Sequence, residues 1–370
     1  KVRGAGVDAD GQEVILDADG DTSITADTDD QIDIKVGGSD KLKVDANSHL
    51  VTNTAGTSNF VLGVNAGNSI ASGGNYNVAL GDEAGTAITT GDRNIAIGFE
   101  AGTAISTGGE NVAIGYQALK TEDGHGLNIA IGSEALENLN AGADAYNVAV
   151  GHTAGKNVTT GIQNTLIGGS AGDALTTGNE NVAIGMEALT SDTQGKRSVA
   201  VGKSALLTQN LSSSTNAYNT AVGHDSGRSV TTGVNNIIIG ALAGDALTDA
   251  DFNVAMGFQA LTNDTLGSGS TAIGHHALQT QNFTSATTSL NVAVGYQAGK
   301  AVTTGIANTL VGNTAGLALT TGNNNVVMGH AALLSEVQGD LNTAIGVGAL
   351  QNQVNSSDAD VNNTAVGYNA

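Results

Sequence analysis

The sequence contains no cysteine and no proline, and only 3% of its residues are aromatic. Without cysteine the chain has no disulfide framework, no thiolate metal site and no cysteine nucleophile. The absence of proline suits a chain made mostly of hydrogen-bonded strand, because proline lacks the N–H that a ladder needs. Large cores normally depend on aromatic side chains. A chain with 53 glycines and mostly small aliphatic residues must therefore bury its surface in a thin, regular arrangement.

Positive charge is also scarce, since 13 Lys and Arg residues face 35 Asp and Glu residues, a net charge of -22. This balance is inconsistent with a nucleic-acid partner and disfavours anionic membrane surfaces, because both need clustered cations. No apolar run approaches the roughly 20 residues of a transmembrane helix, so no membrane insertion is predicted. The sequence starts at Lys1 and stops within a repeat. We therefore expect it to be a fragment of a longer protein.

Residues 1–50 differ in character from the rest of the chain and hold 12 of the 35 acidic residues. Apolar and polar residues alternate in TSITAD (22–27), QIDIKV (31–36) and KLKVDA (41–46), with polar breaks between them. Alternation with a period of two predicts short strands joined by turns. Residues 51–58 form a junction to a long region of repeats.

One motif occupies residues 59–370: Asn, apolar, small or apolar, apolar, Gly, two variable residues, then Ala or Ser. It occurs eighteen times at a spacing of about 17 residues, with Ser in place of Asn only at Ser198 and Ser270. From about residue 147 three spacings of 17 and one of 21 repeat as a 72-residue unit. The extra residues fall in Ser-, Asn- and Thr-rich segments at 209–218, 281–290 and 351–362, which predicts protruding loops. Structural roles are expected for the residues that recur every 72 positions: Asn147, Asn219, Asn291 and Asn363, and Gly151, Gly223, Gly295 and Gly367.

Each repeat is predicted to form β-structure, because Val, Ile and Thr dominate and a glycine in every repeat would weaken a helix. Two short strands and two turns in about 17 residues predict one coil of a parallel β-solenoid, which buries its surface by stacking on neighbouring coils. The glycine is expected where φ is positive or coils approach closely. Stacked Asn amides are expected to hydrogen-bond from coil to coil. In NVAIG (111–115), Val112 and Ile114 share one face, and such pairs are expected to stack into an apolar spine.

The phrases NVAIG, NTAVG and SVAVG, followed by xxAL or xxAG, resemble the head repeats of trimeric autotransporter adhesins. The 17-residue form with TTG spacers more closely resembles repeat arrays of phage tail-fibre proteins, and the resemblance covers residues 59–370. It implies a left-handed parallel β-roll, a homotrimer around a common axis, and a role in attachment. The partners it implies are further copies of the chain, other fibre or virion proteins, and a host-surface glycan or receptor. The implied location is extracellular, on a virion tail fibre or alternatively on a bacterial surface.

Two segments have superficial likeness to ligand-binding loops. GHTAGKN (151–157) evokes a phosphate loop, but its spacing lacks the following Lys-Ser/Thr and the phrase is repeated along the chain, which indicates a structural unit. Asp17, Asp19 and Asp21 stand at positions one, three and five of a calcium loop. Thr22 and Thr28 replace the required Gly and Glu, so a solvated acidic turn is favoured and these aspartates are weak metal candidates. No cofactor is predicted.

The residue after the motif glycine is a ring in half of the repeats, and these rings form one predicted longitudinal row. They either stack between coils and pack against a neighbouring chain, or form a stripe that binds sugar or receptor. The residues in this ring row are Phe99, Tyr116, His152, His224, Phe258, His275, Tyr296, His330 and Tyr368.

No Ser/His/Asp or paired-Glu arrangement stands out, so the chain is not predicted to be an enzyme. The favoured function is a structural and adhesive fibre shaft of a phage tail fibre, with a trimeric autotransporter-type adhesin as the alternative. A polysaccharide-cleaving tailspike would need acidic residues clustered in one groove. An ice-binding solenoid would need regular Thr rows, whereas TTG occurs in only six repeats.

Overall fold

The computed structural model describes residues 14–26, 32–44, 50–355, 357 and 360–370, and within these ranges every regular element is a β-strand. The chain forms two compact units, Lys1–Asn128 with Gly142–Asp144, and Ile129–Ala141 with Ala145–Ala370. The described residues include no helix long and apolar enough to cross a membrane. Thr28, residues 45–46 of a predicted strand and part of the predicted loop at 351–362 lie outside the described residues.

Unit 1 opens with an antiparallel sheet whose strands follow chain order. Ile24 pairs with Ile34, and Ile34 with Leu42, as the alternating pattern requires. The Thr52 hydroxyl then donates to the carbonyl of Asn59 (3.1 Å) and accepts from the N–H of Val61 (3.0 Å), which ties this sheet to the first coil. The strands are β1 (Val14–Ile15), β2 (Ser23–Ala26), β3 (Ile32–Val36), β4 (Ser39–Val44) and β5 (Leu50–Thr52).

The eighteen motif copies form eighteen coils of about 17 residues, so the predicted all-β parallel solenoid is confirmed. Each coil contributes one three-residue strand that pairs in parallel and in register with its neighbours within each unit, as when Val148 pairs with Thr165. The coil strands of unit 1 are β6 (Phe60–Leu62), β7 (Val78–Leu80), β8 (Ile95–Ile97) and β9 (Val112–Ile114). Those of unit 2 are β10 (Ile129–Ile131), β11 (Val148–Val150), β12 (Thr165–Ile167), β13 (Val182–Ile184), β14 (Val199–Val201), β15 (Thr220–Val222), β16 (Ile237–Ile239), β17 (Val254–Met256), β19 (Thr271–Ile273), β21 (Val292–Val294), β22 (Thr309–Val311), β23 (Val326–Met328), β24 (Thr343–Ile345) and β25 (Thr364–Val366).

The prediction of a second strand in each coil is wrong. Residues 156–161 and 173–178 form turns and bends. Outside the motif strands, parallel pairing among the described residues is limited to β18 (Gly267–Ser268) with β20 (Thr287–Thr288) and to two isolated bridges, Lys196 with Asn216 and Asp340 with Asp360. The reason is backbone geometry. In the coil that begins at Asn147, φ is positive at Gly151, Thr153, Gly155 and Gln163. Left-handed residues at this frequency turn the chain continually and leave only the motif strand extended.

The interior of the coil also differs from the expected apolar spine. In β9 the alternation holds, but Ala113 and the preceding Asn111 are the buried residues, whereas Val112 and Ile114 point outwards and are half-buried. The middle strand position is alanine in most coils, but Leu166, Ile238, Leu310 and Val327 also occupy it fully buried, so the interior admits larger side chains. The Val/Ile pairs stack along the outside of the sheet and do not fill the coil.

Larger interior side chains also come from the positions four and seven residues after the motif glycine. Side chains at these two positions would occupy the same space inside the coil. A methyl group on Gly102 would lie 2.8 Å from Cδ1 of Ile105, so a coil with Ala-Gly fills the space with an aliphatic residue three positions later. A coil with Ala-Leu, such as that of Leu119, already fills it and places another residue at the later position. Each complete 72-residue block has two coils with glycine at the earlier position followed by two with leucine. In the Ala-Leu coils the later position holds Glu122, Leu139, Asp192, Gln209, Asp264, Gln281, Glu336 and Gln353.

Candidate functional site

The motif asparagines form a buried hydrogen-bond ladder. The Oδ1 atom of Asn147 accepts from the backbone N–H (2.9 Å) and from Nδ2 (3.2 Å) of Asn164 in the next coil. Its Nδ2 donates to the carbonyl of Gly161, where its own coil turns (2.9 Å). Each amide thus links two coils and closes one, which is the structural role expected of it.

The ladder changes at the long loops. Nδ2 of Asn219 donates to Oε1 of Gln209 (2.9 Å) and to the carbonyl of Gly233 (2.7 Å). Nδ2 of Asn291 makes the same two bonds, and Asn363 donates to Gln353 (2.8 Å). A glutamine amide therefore precedes each of these three asparagines in the ladder. The same glutamine also donates to the motif residue of the preceding coil, to Ser198 and Ser270 at 2.9 Å and to Asn342 at 3.0 Å.

The motif glycines lie where coils touch. Gly151, Gly223, Gly295 and Gly367 have φ between +136° and +142°. A Cβ atom on Gly151 would lie 2.6 Å from the carbonyl carbon of Gly168 in the next coil. Positive φ and close approach both require glycine here.

The phosphate-loop-like phrase at 151–157 is one such coil turn, and its lysine is engaged. Nζ of Lys156 lies 2.5 Å from Oε2 of Glu134 and 3.3 Å from Oε2 of Glu137. Hydrogen bonding to Glu134 raises the pKa of Lys156. The lysine therefore serves an ion-pair network between coils.

The predicted ring row is exposed but only partly continuous. Phe99 stacks on Tyr116 with ring centroids 5.8 Å apart. Phe258, His275 and Tyr296 form a second column with centroid distances of 5.3 and 5.4 Å. Because stacked rings cover one another, the shared faces in each column are not open to a sugar. His152, His224 and His330 are each followed by a coil that has no ring at the equivalent position. Tyr368, in the last coil of the sequence, is 79% exposed.

His276 joins the second column from the side. Its ring centroid lies 3.9 Å from that of His275, edge to face. Burial, with smaller contributions from His275 and Lys300, lowers the pKa of His276. Its imidazole is therefore neutral at pH 7.

Asp17, Asp19 and Asp21 lie in an exposed turn with carboxylate oxygens within 4.8 Å of one another. Oδ1 of Asp17 accepts from the N–H groups of Gly20 (3.1 Å) and Thr22 (3.2 Å), three and five residues later, so this side chain closes the turn. Hydrogen bonding with Thr22 holds the pKa of Asp17 below its usual value. These bonds account for Asp17 as a turn residue.

The structure reveals a recurring interior group that was not predicted from the sequence: a buried carboxylate at Asp192, Asp264 and Glu336. Oδ1 of Asp264 accepts from the N–H groups of Gly267 and Phe283 (both 3.1 Å), and Oδ2 accepts from Nε2 of Gln281 (2.5 Å). Phe283 belongs to the following long loop, so the carboxylate anchors that loop to the coil interior. The signal in the sequence was the 72-residue spacing of both the acids and the glutamines.

These carboxylates differ in acidity. Burial raises the pKa of Asp192 above its usual value, and the hydrogen bond from Gln209 opposes this only in part. Burial also acts to raise the pKa of Glu336, but hydrogen bonds from Gln353, Gly339 and Asn355 together outweigh it and lower the pKa. The sign of the pH dependence should therefore differ between two equivalent positions.

We expect Glu336→Gln to destabilise the protein by about 2 kcal/mol at pH 7, because the amide presents a donor to Gln353 and Asn355. A lowered folded-state pKa contributes stability above the usual value of 4.5, and this contribution is lost as the pH falls. The difference in unfolding free energy between the wild type and Glu336→Gln should therefore become smaller as the pH falls. The opposite trend is expected at Asp192. Because the pKa of Asp192 is raised, the unfolding free energy of the wild type should increase relative to that of Asp192→Asn as the pH falls. Chemical unfolding from pH 3 to pH 7 measures both differences. If the two differences changed in the same direction with pH, the opposite pKa shifts of Glu336 and Asp192 would be contradicted.

No protein family, curated protein or solved structure matches this chain. The function proposed below therefore depends on the geometry of the repeats and on the resemblance of their motifs to those of fibre and adhesin repeat proteins.

Proposed function

We propose that this chain is the repeat shaft of a homotrimeric fibre, and that the fibre is a phage tail fibre used to attach to a host surface. The observation that carries the proposal is an apolar surface on the outside of the solenoid. We call it the outer apolar face and define it, within each unit, as the first and third residues of the coil strands.

The outer apolar face is apolar in composition, and its described side chains are half-buried or exposed. Its third position is Val, Ile, Leu or Met in every coil, and its first position is apolar in twelve coils and Thr in six. Ile167 is 37% exposed, Ile184 36% and Met328 47%. A soluble chain rarely leaves a contiguous apolar surface of this extent open to water, so the face supports association with another protein surface.

The borders of the face have the composition of an interface rim. On one side lies the ring row that follows each motif glycine. On the other lies the residue before each motif Asn or Ser, where Tyr146, Tyr218 and Phe252 are exposed and Arg197 pairs with Glu180 (3.0 Å). Protein–protein interfaces typically have an apolar centre depleted of charge and a polar rim, and they are enriched in Tyr, Phe and Arg. The ring row is then a set of rim contacts between chains.

A second copy of this chain is the partner that fits the face best. The face repeats with the period of the coil, and a copy of the same solenoid presents the same period along its whole length. Copies packed side by side around a rotation axis cover every face and close the assembly. The number three follows from the resemblance to trimeric repeat proteins.

We expect the double variant Ile167→Glu/Ile184→Glu to lose self-association, because it places two carboxylates in neighbouring coils of the outer apolar face. Sedimentation equilibrium should give three chains for wild type and one for the variant. The matched control is Thr160→Glu/Thr177→Glu, which adds the same charges to exposed turn positions of neighbouring coils and should remain trimeric. Circular dichroism checks that both variants fold. A wild-type monomer, or equal dissociation of both variants, would refute the proposed assembly.

Attachment is tested separately. The tail-fibre proposal has a bacterial adhesin of the autotransporter type as its alternative, and both roles predict that the fibre binds bacterial surfaces. If the ring row is only a rim, Tyr296→Ala and Tyr368→Ala should leave any binding to a glycan array unchanged. Loss of glycan binding in these variants would assign the ring row to ligand recognition.

A further inference from the structure

The turn at residues 120–126 of unit 1 brings three metal-ligand side chains together. Glu122 is fully buried, whereas Asp123 and His125 lie nearer the surface. A carboxylate oxygen of each acid and an imidazole nitrogen of His125 all lie within 4.8 Å of one another. Oε1 of Glu122 is 3.5 Å from Nδ1 of His125.

The imidazole is held in this position by its backbone. The carbonyl of His125 accepts a hydrogen bond from Nδ2 of Asn111 (3.0 Å), so the residue is part of the asparagine ladder. Its Nδ1 atom is buried and has no hydrogen-bond partner. A buried polar atom without a partner is costly, and a bound cation would satisfy it.

The chain supplies its own comparison, because the same turn occurs in three later coils. There the acids Asp192, Asp264 and Glu336 are followed three residues later by Gly195, Gly267 and Gly339, each of which donates its N–H to the acid at 2.8 to 3.1 Å. In the turn at Glu122 the equivalent residue is His125. In the three later copies the next coil carries a glutamine after the acid, and the equivalent residue in this copy is Leu139. This copy therefore adds an imidazole where the repeat does not require one.

We propose that Glu122, Asp123 and His125 bind a divalent transition-metal ion of the Zn²⁺ class. One imidazole nitrogen with two carboxylates is a donor set that suits Zn²⁺, whereas Ca²⁺ and Mg²⁺ prefer oxygen ligands alone. Ligand atoms about 2.1 Å from a tetrahedral ion lie about 3.4 Å apart, close to the separation of Glu122 and His125. Three protein ligands leave at least one coordination position for water. The net charge of -22 favours the approach of a cation.

The test is titration of the full chain with Zn²⁺, followed by calorimetry or equilibrium dialysis. We expect one ion per chain and at least about 100-fold weaker binding in His125→Gly, because a direct ligand is lost. Glycine is the residue that the three equivalent turns carry, so this variant should keep the fold. The control His152→Ala removes an exposed histidine of the ring row and should bind as wild type does.

A second variant separates binding from folding. Asp123 is exposed, so Asp123→Asn should leave the circular dichroism spectrum unchanged and weaken Zn²⁺ binding at least about 10-fold. In the wild type, Zn²⁺ should shift the imidazole NMR signals of His125 and leave those of His330 in place. Absence of saturable binding, or binding that is undiminished in both His125→Gly and Asp123→Asn, would overturn the site.

Discussion

Gly168→Ala will destabilise the solenoid by at least about 3 kcal/mol, because two independent costs arise at one position. The φ of Gly168 is +136°, a conformation that is essentially restricted to glycine. A Cβ atom would also lie 2.5 Å from the carbonyl oxygen and 2.6 Å from the carbonyl carbon of Gly185 in the next coil. Those atoms belong to the backbone directly after β13, where the N–H of Gly185 donates to the carbonyl of Ile167 (2.7 Å), so they cannot move without disturbing the contact between β12 and β13.

The control for this substitution is the neighbouring residue. Gly169 has no heavy atom within 4 Å of a Cβ and does not have positive φ, so Gly169→Ala should change stability by no more than about 0.5 kcal/mol. Thermal unfolding followed by circular dichroism compares the two. Because repeat proteins are stabilised by contacts between neighbouring coils, Gly168→Ala should also divide unfolding into two steps. Equal stability of the two variants would show that coil spacing adapts to a side chain.

Asn164→Asp is expected to cost about 3–5 kcal/mol at pH 7, because it buries a charge and removes two donated hydrogen bonds. Nδ2 of Asn164 donates to Oδ1 of Asn147 (3.2 Å) and to the carbonyl of Gly178 (2.9 Å). A carboxylate oxygen in its place would face two acceptors and repel both. Protonation would restore one donor, so the variant should recover part of its stability as the pH falls.

The same substitution at Asn179 is the control. Oδ1 of Asn179 accepts from the N–H of Ile162 (2.9 Å), and aspartate already serves this role at Asp251, where Oδ1 accepts from Val234 at 2.7 Å. Asn179→Asp should therefore be nearly neutral. Chemical unfolding at pH 4 and pH 7 measures both variants. A loss at Asn164 that is no larger than the loss at Asn179 would mean that the amide ladder contributes little to stability.

Much of the architecture could be predicted from the pattern of residues. The eighteen-fold motif indicated the coil and its length, and the positions of Asn147 and Gly151 indicated the ladder and the contact between coils. These predictions succeeded because a repeated residue in a solenoid meets its own copy, so its role depends on its neighbours in the next coil and little else.

Two predictions failed for physical reasons. Residues 156–161 have strand-forming composition, but left-handed residues such as Thr153 and Gln163 bend the chain too often for a second strand. The Val/Ile pairs were expected to form the spine of the fold. They lie outside because the inner face of each strand carries the motif asparagine and the middle residue, which is Ala113 in β9 and Leu166 in β12.

The ring residues were predicted to form one longitudinal row, but the continuity of that row could not be predicted from composition. Phe258, His275 and Tyr296 stack because they occur in consecutive coils, whereas His152 has Gly169 as its neighbour. The buried carboxylates were missed because acidic residues are usually solvated. Only the coil geometry shows that Asp264 is enclosed and satisfied by Gln281 and backbone amides.

The sequence by itself determined the repeat, its period, and the residues that must meet between coils, because identical units stack in register. The tertiary structure alone decided which face of each strand is inside, since alternation defines two faces but not which of them is buried. The motif asparagine and the middle residue of each strand turned inwards and the Val/Ile pairs outwards, because the inward amide bonds the backbone of its own coil and of the next, as at Asn147. The outer apolar face is left at the surface of each unit, and the turn after β9 brings His125 beside Glu122 where the equivalent later turns carry glycine.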